Sequence, residues 1–281
     1  MNNFDYLGKK IQNAKFESYP FKHILIEDFI SKEHLKIILE DNQIHFEEKT
    51  NSREVINTIL ENGYKVQKFP GCSSSPEEYL RALEKNEWPT ERGGTPIESF
   101  GITFRLDSYK TNFIKELINY LNSQEFKKIL ETKFEIKEQT NIITAVQKNL
   151  SKYEISPHPD VREKALTYLL NINKNSDIDK EQVHTHLLKF KKQWEFIYDY
   201  WKTYLKENRC WVPWDWCTTE KVVNKNNTLV MFAPNVDTLH AIKLDYDHTK
   251  FQRTQIYGNL MYKKKVIPQM SWKKLEKILN K

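Results

Sequence analysis

Cysteine is scarce in this chain of 281 residues. The three thiols, Cys72, Cys210 and Cys217, are an odd number and form no C-x-x-C pair. Disulfide frameworks and structural zinc knuckles need paired or closely spaced thiols, so neither is expected here. Cys210 and Cys217 flank a tryptophan-rich stretch, where free thiols usually pack as small hydrophobic side chains.

Long apolar runs are also missing. No run approaches the roughly 18 residues that a membrane span needs, and the polar start MNNFDYLGKK has no leader-type apolar core. We therefore expect a cytoplasmic protein without a membrane partner. The 44 Lys and Arg residues against 38 Asp and Glu give a net charge of +6. This charge is spread along the chain, so a nucleic-acid partner is not expected.

The chain has enough hydrophobic side chains to form a buried core. Hydrophobic residues make up 39% of the chain and aromatic residues 13%, which excludes a disordered segment. There is no internal repeat of roughly 20 to 50 residues and no Gly/Ser-rich or Pro-rich linker. The sequence therefore predicts one domain over residues 1–281.

The N-terminal part, residues 1–139, is expected to support the rest of the fold. A strand pattern over 21–29 is followed by Ser31, a typical helix N-cap. Residues 101–106 return to a strand pattern, and Ser123 is placed to cap the second of two helices over 111–131.

Residues 46–100 are polar and irregular, which favours a lid or a binding surface. One helix is predicted within this region, because Ser75 precedes Pro76 at the first helical position and Glu78 completes a capping box. Gly93 and Gly94 indicate a flexible turn.

Residues 140–262 read as short β-rich runs separated by polar turns, a pattern typical of a sandwich or barrel. An insertion over 174–227 is predicted to carry a long amphipathic helix, about 181–206, followed by WVPWDW. The basic, amphipathic pattern of residues 263–281 predicts a final helix. The fold class expected from the pattern is mostly β with flanking helices, an α+β arrangement.

His158 and Asp160 form an H-x-D motif where a strand-like segment ends between two prolines. In an extended chain, residues two apart share a face, so the imidazole and the carboxylate can converge on one metal ion. His240, on a later strand, can supply a second imidazole. Two imidazoles and one carboxylate form the facial triad that suits Fe(II) and leaves three coordination positions open.

Arg253 follows on the next strand-like run. A 2-oxo acid can fill two open positions of such a metal and dioxygen the third. The remote carboxylate of that acid needs a planar, permanently charged partner, which is the role expected for Arg253.

These motifs resemble those of the Fe(II)/2-oxoglutarate-dependent oxygenases, in particular the prolyl-4-hydroxylase-like branch. The resemblance rests on HPD followed by ALTYLLNIN, NNTLVMFAP, TLHA and RTQIYG, and covers roughly residues 140–262. It implies a double-stranded β-helix, a cupin-like jelly roll, with Fe(II), 2-oxoglutarate and dioxygen as reactants. It also implies that His158, Asp160 and His240 act catalytically through bound iron.

In relatives, a polar side chain at the position of Asn171 often shares the cosubstrate's distal carboxylate with the arginine. The resemblance therefore assigns this role to Asn171. Halogenating members have a small residue where this chain has Asp160, so hydroxylation with release of succinate and CO2 is the outcome that the resemblance implies.

The substrate is open at this stage. A small metabolite, such as an amino-acid or sugar derivative, is favoured because no peptide-recognition module is appended. The alternatives are a prolyl-type protein hydroxylase, a nucleobase-modifying oxygenase, and, from a different class, an inactive cupin-like binding module.

Two further sets of residues have competing interpretations. His184 and His186 form an H-x-H motif, but a helix there would turn the two rings apart. His248 lies in a polar turn and is a weaker ligand candidate than His240. An aromatic stripe from Trp194 to Trp216 favours core packing of the insertion, with a homodimer interface or a pocket wall as alternatives.

Overall fold

The computed structural model describes residues 3–68, 72–87, 99–174, 180–181, 183–204 and 211–263. Within these ranges the chain forms seven α-helices and eleven β-strands. The helices are α1 (Asp5–Asn13), α2 (Lys32–Glu40), α3 (Ser52–Glu61), α4 (Pro76–Lys85), α5 (Asn112–Leu121), α6 (Gln124–Lys133) and α7 (Phe196–Thr203). The strands are β1 (Ile24–Ile26), β2 (Tyr64–Val66), β3 (Thr103–Leu106), β4 (Thr140–Asn149), β5 (Glu154–His158), β6 (Lys164–Asn171), β7 (Thr185–Phe190), β8 (Cys217–Val223), β9 (Leu229–Phe232), β10 (His240–Lys243) and β11 (Arg253–Tyr262).

The predicted helix caps are confirmed. The side chains of Ser31, Ser75 and Ser123 each accept a hydrogen bond from the backbone N–H three residues later. In α4 the reciprocal bond differs by one residue from a capping box, because the Glu78 carboxylate accepts from the N–H of Ser74, at 2.7 Å. The Ser75 hydroxyl and the Glu78 carboxylate thus each accept a hydrogen bond from a backbone N–H at the N-terminal end of α4.

The strands form two antiparallel sheets. The larger sheet has seven strands in the order β1-β9-β6-β11-β4-β3-β2, and the smaller has four in the order β5-β10-β7-β8. From β4 to β11 the chain alternates between the sheets, with the β7–β8 hairpin as one step. Side chains of β7, β8 and β9 pack together in one buried cluster that joins the two sheets. This is the jelly-roll core that the resemblance implies.

The larger sheet separates a helical layer from the interior of the jelly roll. Tyr168 and Leu170 of β6 face the helices and are buried in the main core, which also contains Phe126 of α6. Their neighbours Thr167 and Leu169 face inward and line a cavity between the sheets. The two faces of β6 therefore agree with the period of two in its sequence.

The prediction of a long helix over 181–206 is wrong. Residues Thr185–Phe190 form β7, which pairs with β10 on one side and β8 on the other. Only Phe196–Thr203 is helical, after a short 3-10 turn. The proposed insertion over 174–227 thus supplies two core strands, because cross-strand pairing outweighs the local helical pattern of this segment.

The prediction of an irregular region over 46–100 was also too coarse. Helix α3 and strand β2 lie within it, in addition to the predicted α4. Asn51 caps α3 through a hydrogen bond from Glu54 N–H, and β2 extends the larger sheet at its edge. The polar composition reflects the exposed side of these elements.

Part of the aromatic stripe packs in a buried cluster, as the core-packing interpretation predicts, whereas Phe196 and Tyr200 are exposed and Trp211 lines a cavity. Trp201, Ile197 and Phe190 are buried in this cluster together with the thiol of Cys217. Trp194 and Trp216 stack with ring centroids 4.0 Å apart and planes inclined by 11°. The homodimer interface stays a prediction.

Several expectations concern residues outside the described ranges. They are the turn at Gly93 and Gly94, the environment of Cys210, and the C-terminal helix from residue 264 onward. Within the described ranges, none of the helices has the length and apolar character needed to cross a bilayer.

Candidate metal centre

Three predicted ligands come together at one end of the smaller sheet. His158 is the last residue of β5, His240 is the first residue of β10, and the two are direct cross-strand partners. Their ring centroids lie 4.4 Å apart. Asp160 follows β5 by two residues, so its carboxylate returns to the same point.

The possible ligand atoms of these residues all lie within 4.8 Å of one another. Nε2 of His158 is 4.0 Å from Oδ1 of Asp160, and Nε2 of His240 is 3.8 Å from Oδ2. Bonds of about 2 Å to one small cation require donor atoms at such short separations. Among the described residues this is the one group of three or more His, Cys, Asp or Glu side chains that meets the condition.

Backbone carbonyls orient both imidazoles. Nδ1 of His158 lies 2.8 Å from the carbonyl oxygen of Ser156, and Nδ1 of His240 lies 3.0 Å from that of Thr238. A carbonyl oxygen only accepts hydrogen bonds, so Nδ1 carries the proton in each ring and Nε2 keeps its lone pair. Both lone pairs then lie on the nitrogen nearer to Asp160, which is the arrangement of a metal-binding histidine pair.

The charge states also suit a cation. Burial, with a smaller effect of the neighbouring His240, lowers the pKa of His158 to about 3, and burial likewise lowers the pKa of His240. Both rings are therefore neutral at neutral pH. Burial alone would raise the pKa of Asp160, but the Lys164 ammonium and the two imidazoles outweigh it and hold this pKa below its usual range. The carboxylate is ionised.

Two donors hold the Asp160 carboxylate in place. Lys164 Nζ donates to Oδ1 at 2.5 Å, and Thr167 Oγ1 donates to Oδ2 at 2.5 Å. Lys164 also donates to the hydroxyl of Tyr257 at 3.0 Å. Lys164 is not predicted from the sequence, because a lysine on a strand carries no signal until the cavity that it lines is known.

Arg253 lies at the start of β11 and is only 2% exposed. Its Nε donates to the carbonyl of Val183 at 2.8 Å, and its Nη1 donates to Oδ1 of Asn149 at 2.7 Å. Nη2 is 3.4 Å from Oγ1 of Thr185. Burial lowers the pKa of Arg253 to about 10, which still leaves it charged at neutral pH.

No carboxylate forms an ion pair with this guanidinium among the residues that the structure describes. A buried charge without a counter-ion is costly, and its neutral partners offset only part of that cost. An anionic ligand would supply the missing charge.

One cavity of about 290 Å³ connects the metal-ligand group with Arg253. It lies between the two sheets, and both contribute to its wall. Trp211 stacks on His158 at this wall, with ring centroids 6.2 Å apart and planes inclined by 27°. The four predicted residues His158, Asp160, His240 and Arg253 therefore line one cavity.

The fifth predicted site residue, Asn171, does not line this cavity. Its Oδ1 accepts a hydrogen bond from Nε2 of Gln255 at 2.7 Å, and Gln255 is the residue that reaches the wall. Gln255 and Tyr257 follow Arg253 at intervals of two on β11, so the strand period could have identified both. The structure thus gives Asn171 an indirect position behind Gln255.

The other candidate histidines lie elsewhere. His186 is on strand β7, not on a helix, and its Nδ1 is 3.2 Å from Oγ1 of Thr219. His248 is buried beside α3, with Nε2 2.9 Å from Oγ of Ser52. Neither belongs to the metal-ligand group, which agrees with the lower rank that the sequence gave them.

No protein-family model matches the chain, and no curated protein sequence matches it. Among solved structures, a prolyl-4-hydroxylase from Pseudomonas putida aligns over 92% of this chain and 99% of its own, with a TM-score of 0.45 and 6% identity. A prolyl hydroxylase from Trichoplax adhaerens, in complex with a hypoxia inducible factor oxygen degradation domain peptide fragment, aligns over 95% and 93%, with a TM-score of 0.44 and 11% identity. A 2OG-Fe(II) oxygenase family oxidoreductase from Burkholderia pseudomallei aligns over 77% and 93%, with a TM-score of 0.32 and 9% identity.

Proposed function

We propose that the protein is an Fe(II)- and 2-oxoglutarate-dependent dioxygenase that hydroxylates a small-molecule substrate. The observation that carries the proposal is the sharing of one cavity by two neutral imidazoles, an ionised carboxylate and a buried guanidinium without a carboxylate partner among the described residues. A metal triad alone fits many reactions, and a buried arginine alone fits many anions. Their combination fits a metal-bound diacid.

His158, Asp160 and His240 would hold the iron through Nε2, one carboxylate oxygen and Nε2. Because three protein ligands on one face leave open positions, cosubstrate and dioxygen can both reach such a metal. Bound Fe(II) supplies the activation of dioxygen, coupled to conversion of 2-oxoglutarate into succinate and CO2. The backbone carbonyls on Nδ1 keep both rings in the required tautomer, and Lys164 and Thr167 keep the carboxylate oriented.

Arg253 would bind the distal carboxylate of 2-oxoglutarate. Its Nε is fixed by the Val183 carbonyl, and its terminal nitrogens lie beside the neutral oxygens of Asn149 and Thr185. A guanidinium that is already oriented loses little conformational freedom when a carboxylate binds. Asn149 and Thr185 both line the cavity, so they are placed to contact the same carboxylate.

The cavity volume supports a small substrate. About 290 Å³ lies near the lower end of the range of ligand pockets, and 2-oxoglutarate must occupy part of it. An amino-acid or sugar derivative fits this space better than a folded protein segment.

The direct test is oxygen-dependent formation of succinate from 2-oxoglutarate in the presence of Fe(II). We expect the wild-type protein to form succinate slowly without substrate. His158→Ala and Asp160→Ala should abolish it, with folding checked by circular dichroism. His248→Ala is the matched control, because it removes a buried histidine outside the metal group, and it should stay active. Equal loss in all three variants would reject the ligand assignment.

A spectroscopic test distinguishes this proposal from an inactive binding module. Under anaerobic conditions, Fe(II) and 2-oxoglutarate together should give a weak visible charge-transfer band, because the 2-oxo acid chelates the metal. A jelly roll that binds neither reactant should give no band.

A further inference from the structure

Two buried glutamines are neighbours on the inner face of the larger sheet. Gln147 of β4 and Gln255 of β11 are direct cross-strand partners, and both line the cavity. They are 6% and 2% exposed. Cross-strand partners on one face hold their Cβ atoms about 5 Å apart, so these two side chains lie next to each other. We call them the glutamine pair. The proposed iron and cosubstrate sites use neither residue.

The side-chain amide of Gln255 has a fixed orientation. Nδ2 of Asn171 lies 3.4 Å from the carbonyl oxygen of Val223 and 3.3 Å from that of Lys225. Because carbonyl oxygens only accept hydrogen bonds, the amide nitrogen of Asn171 is on that side and its Oδ1 is on the other. Oδ1 then accepts from Nε2 of Gln255 at 2.7 Å. The remaining amide atom of Gln255, the acceptor Oε1, is therefore the one turned away from Asn171.

A charged donor fixes the amide of Gln147 in a similar way. Its Oε1 accepts a hydrogen bond from Nε of Arg105 at 3.0 Å. A guanidinium has no lone pair, so the amide nitrogen of Gln147 cannot take the place of this oxygen. Nε2 of Gln147 donates one hydrogen to Oδ1 of Asn149 at 3.4 Å. An amide nitrogen carries two hydrogens, and the second N–H of Gln147 has no acceptor in the described part of the chain.

The glutamine pair thus offers the cavity one acceptor and one donor. Among the described residues, no donor reaches Oε1 of Gln255, and the two glutamines form no hydrogen bond with each other. Polar groups at such burial are rarely left unpaired, because each one gives up its hydrogen bonds to bulk water. A ligand that supplies both missing partners would offset this loss.

The pattern of one acceptor and one donor selects the ligand group. A carboxylate has acceptors only, so it matches Gln147 but places an oxygen against Oε1 of Gln255. An ammonium has donors only, so it matches Gln255 alone. A hydroxyl offers both roles from one oxygen atom, whereas the glutamine pair presents them on two side chains. An amide with its N–H and C=O on the same side donates to Gln255 and accepts from Gln147 at once.

The position of the glutamine pair brings such a ligand close to the metal-ligand group. On β11, Gln255 lies between Arg253 and Tyr257, two residues from each. The hydroxyl of Tyr257 accepts from Lys164, which in turn donates to Asp160. Along this strand the pair is therefore between the proposed cosubstrate anchor and the side chains that contact the metal-ligand group.

We propose that the substrate carries an amide group, as in a primary carboxamide or a lactam, and that Gln147 and Gln255 each form one hydrogen bond with it. The inference rests on the proposed function, because it places the amide in the same cavity as iron and 2-oxoglutarate. It narrows the small-molecule substrate to the class of amides, which includes amide derivatives of amino acids. Gln147 and Gln255 are specificity-determining residues in this arrangement.

The test compares two probes of nearly the same shape. Benzamide carries a C=O and an NH2 group, and acetophenone carries the same C=O with a methyl group in place of NH2. The full-length protein is loaded with Zn(II), a redox-inert substitute for Fe(II), and with 2-oxoglutarate. The Kd of each probe is then measured by saturation-transfer NMR in wild type and in variants whose fold is verified by circular dichroism.

We expect Gln255→Met to raise the Kd of benzamide by about 3- to 10-fold, the effect of losing one neutral hydrogen bond. The Kd of acetophenone should not change, because this probe has no hydrogen to donate to Oε1. Gln147→Met should raise the Kd of both probes, since each places a C=O against the N–H of Gln147. The control variant is Gln252→Met, which removes a buried glutamine that does not line the cavity and whose Nε2 donates to the carbonyl of His248. It should bind both probes like wild type.

Three results would overturn the inference. One is the absence of benzamide binding to wild type. Another is an equal effect of Gln255→Met on the two probes, or no effect on either, because the acceptor then does not distinguish them. The third is an unchanged Kd of both probes in Gln147→Met. This third comparison decides the matter alone if Gln255→Met does not fold.

Failure of the proposed function is recognised separately. Absence of the iron–2-oxoglutarate charge-transfer band would reject the proposed function whatever the probes do. The same comparison of benzamide with acetophenone in the metal-free protein then decides the amide site. If the band appears and the probes do not behave as expected, the inference fails and the proposed function stands.

Discussion

Arg253 is the residue whose chemistry can be tested most sharply by a conservative change. Arg253→Lys keeps the positive charge but replaces a planar group of five N–H donors by a single ammonium. We expect the KM for 2-oxoglutarate to rise by about 10-fold or more, with iron affinity unchanged, as measured by succinate formation against 2-oxoglutarate concentration. Arg81→Lys, at an exposed position of α4, is the matched control. An unchanged KM in Arg253→Lys would remove Arg253 from the cosubstrate site.

The residues of the site differ in how well the sequence predicts them. The H-x-D motif, the later histidine and the arginine were visible because their type and order are specific. Lys164 is not predicted, since a lysine on a strand carries no signal until its cavity is known. The role of Asn171 at the cosubstrate stays a prediction, and sequence spacing does not reveal that Gln255 lies between Asn171 and the cavity.

At the level of elements, the contact between β6 and β11 depends on one glycine. Gly258 is the cross-strand partner of Tyr168, and a Cβ at Gly258 would lie 2.1 Å from Cζ of the tyrosine ring. Tyr168 is buried against the helical layer and hydrogen-bonds to Thr144, so moving the ring aside would cost packing and this hydrogen bond. With Tyr168 on β6, a residue larger than glycine at position 258 would meet the tyrosine ring at the observed strand spacing.

We therefore expect Gly258→Ala to lower the free energy of unfolding by about 1–3 kcal/mol or more, as measured by urea denaturation. Tyr168→Leu should relieve the clash. The double variant should then lose less stability than the sum of the two single variants. Strict additivity would show that the alanine methyl group does not meet the ring.

The elements themselves were predicted unevenly, and the reason is physical. The caps of α2, α4 and α6 were read correctly because a cap is a local interaction between a side chain and the backbone three residues away. Strand β7 was read as part of a helix, because THLLKF followed by aromatic residues also has apolar positions at helical spacing. Its pairing with β8 and β10 is a non-local interaction that no sequence window contains.

For the whole molecule, we expect the free energy of unfolding to fall in mild acid because of buried histidines outside the metal-ligand group. Burial lowers the pKa of His248 to about 4, with a small opposing effect of Asp247, and burial lowers the pKa of His45 to about 2. In the unfolded chain both titrate near 6.5. The unfolded state therefore takes up protons first as the pH falls below 6.5, and stability falls with it.

For His248 alone, the loss amounts to about 3 kcal/mol between pH 6.5 and pH 4. His248→Gln has no titrating ring, so its free energy of unfolding should fall less steeply over this interval. The slope of that free energy against pH should be smaller than in wild type by the equivalent of about one bound proton. Urea denaturation at a series of pH values measures the difference. Parallel curves for wild type and His248→Gln would show that this histidine does not govern acid stability.

The central claim is that side chains from β5 and β10, with the intervening Asp160, form one iron site. Anaerobic calorimetric titration with Fe(II) tests it most directly. We predict one ion per chain in wild type and in His248→Ala. Affinity should fall by at least about 100-fold in His158→Ala, Asp160→Ala and His240→Ala, since loss of a ligand should exceed the effect of losing a group that only orients one. Retention of wild-type affinity in any of these three variants, each verified as folded, would contradict the claim.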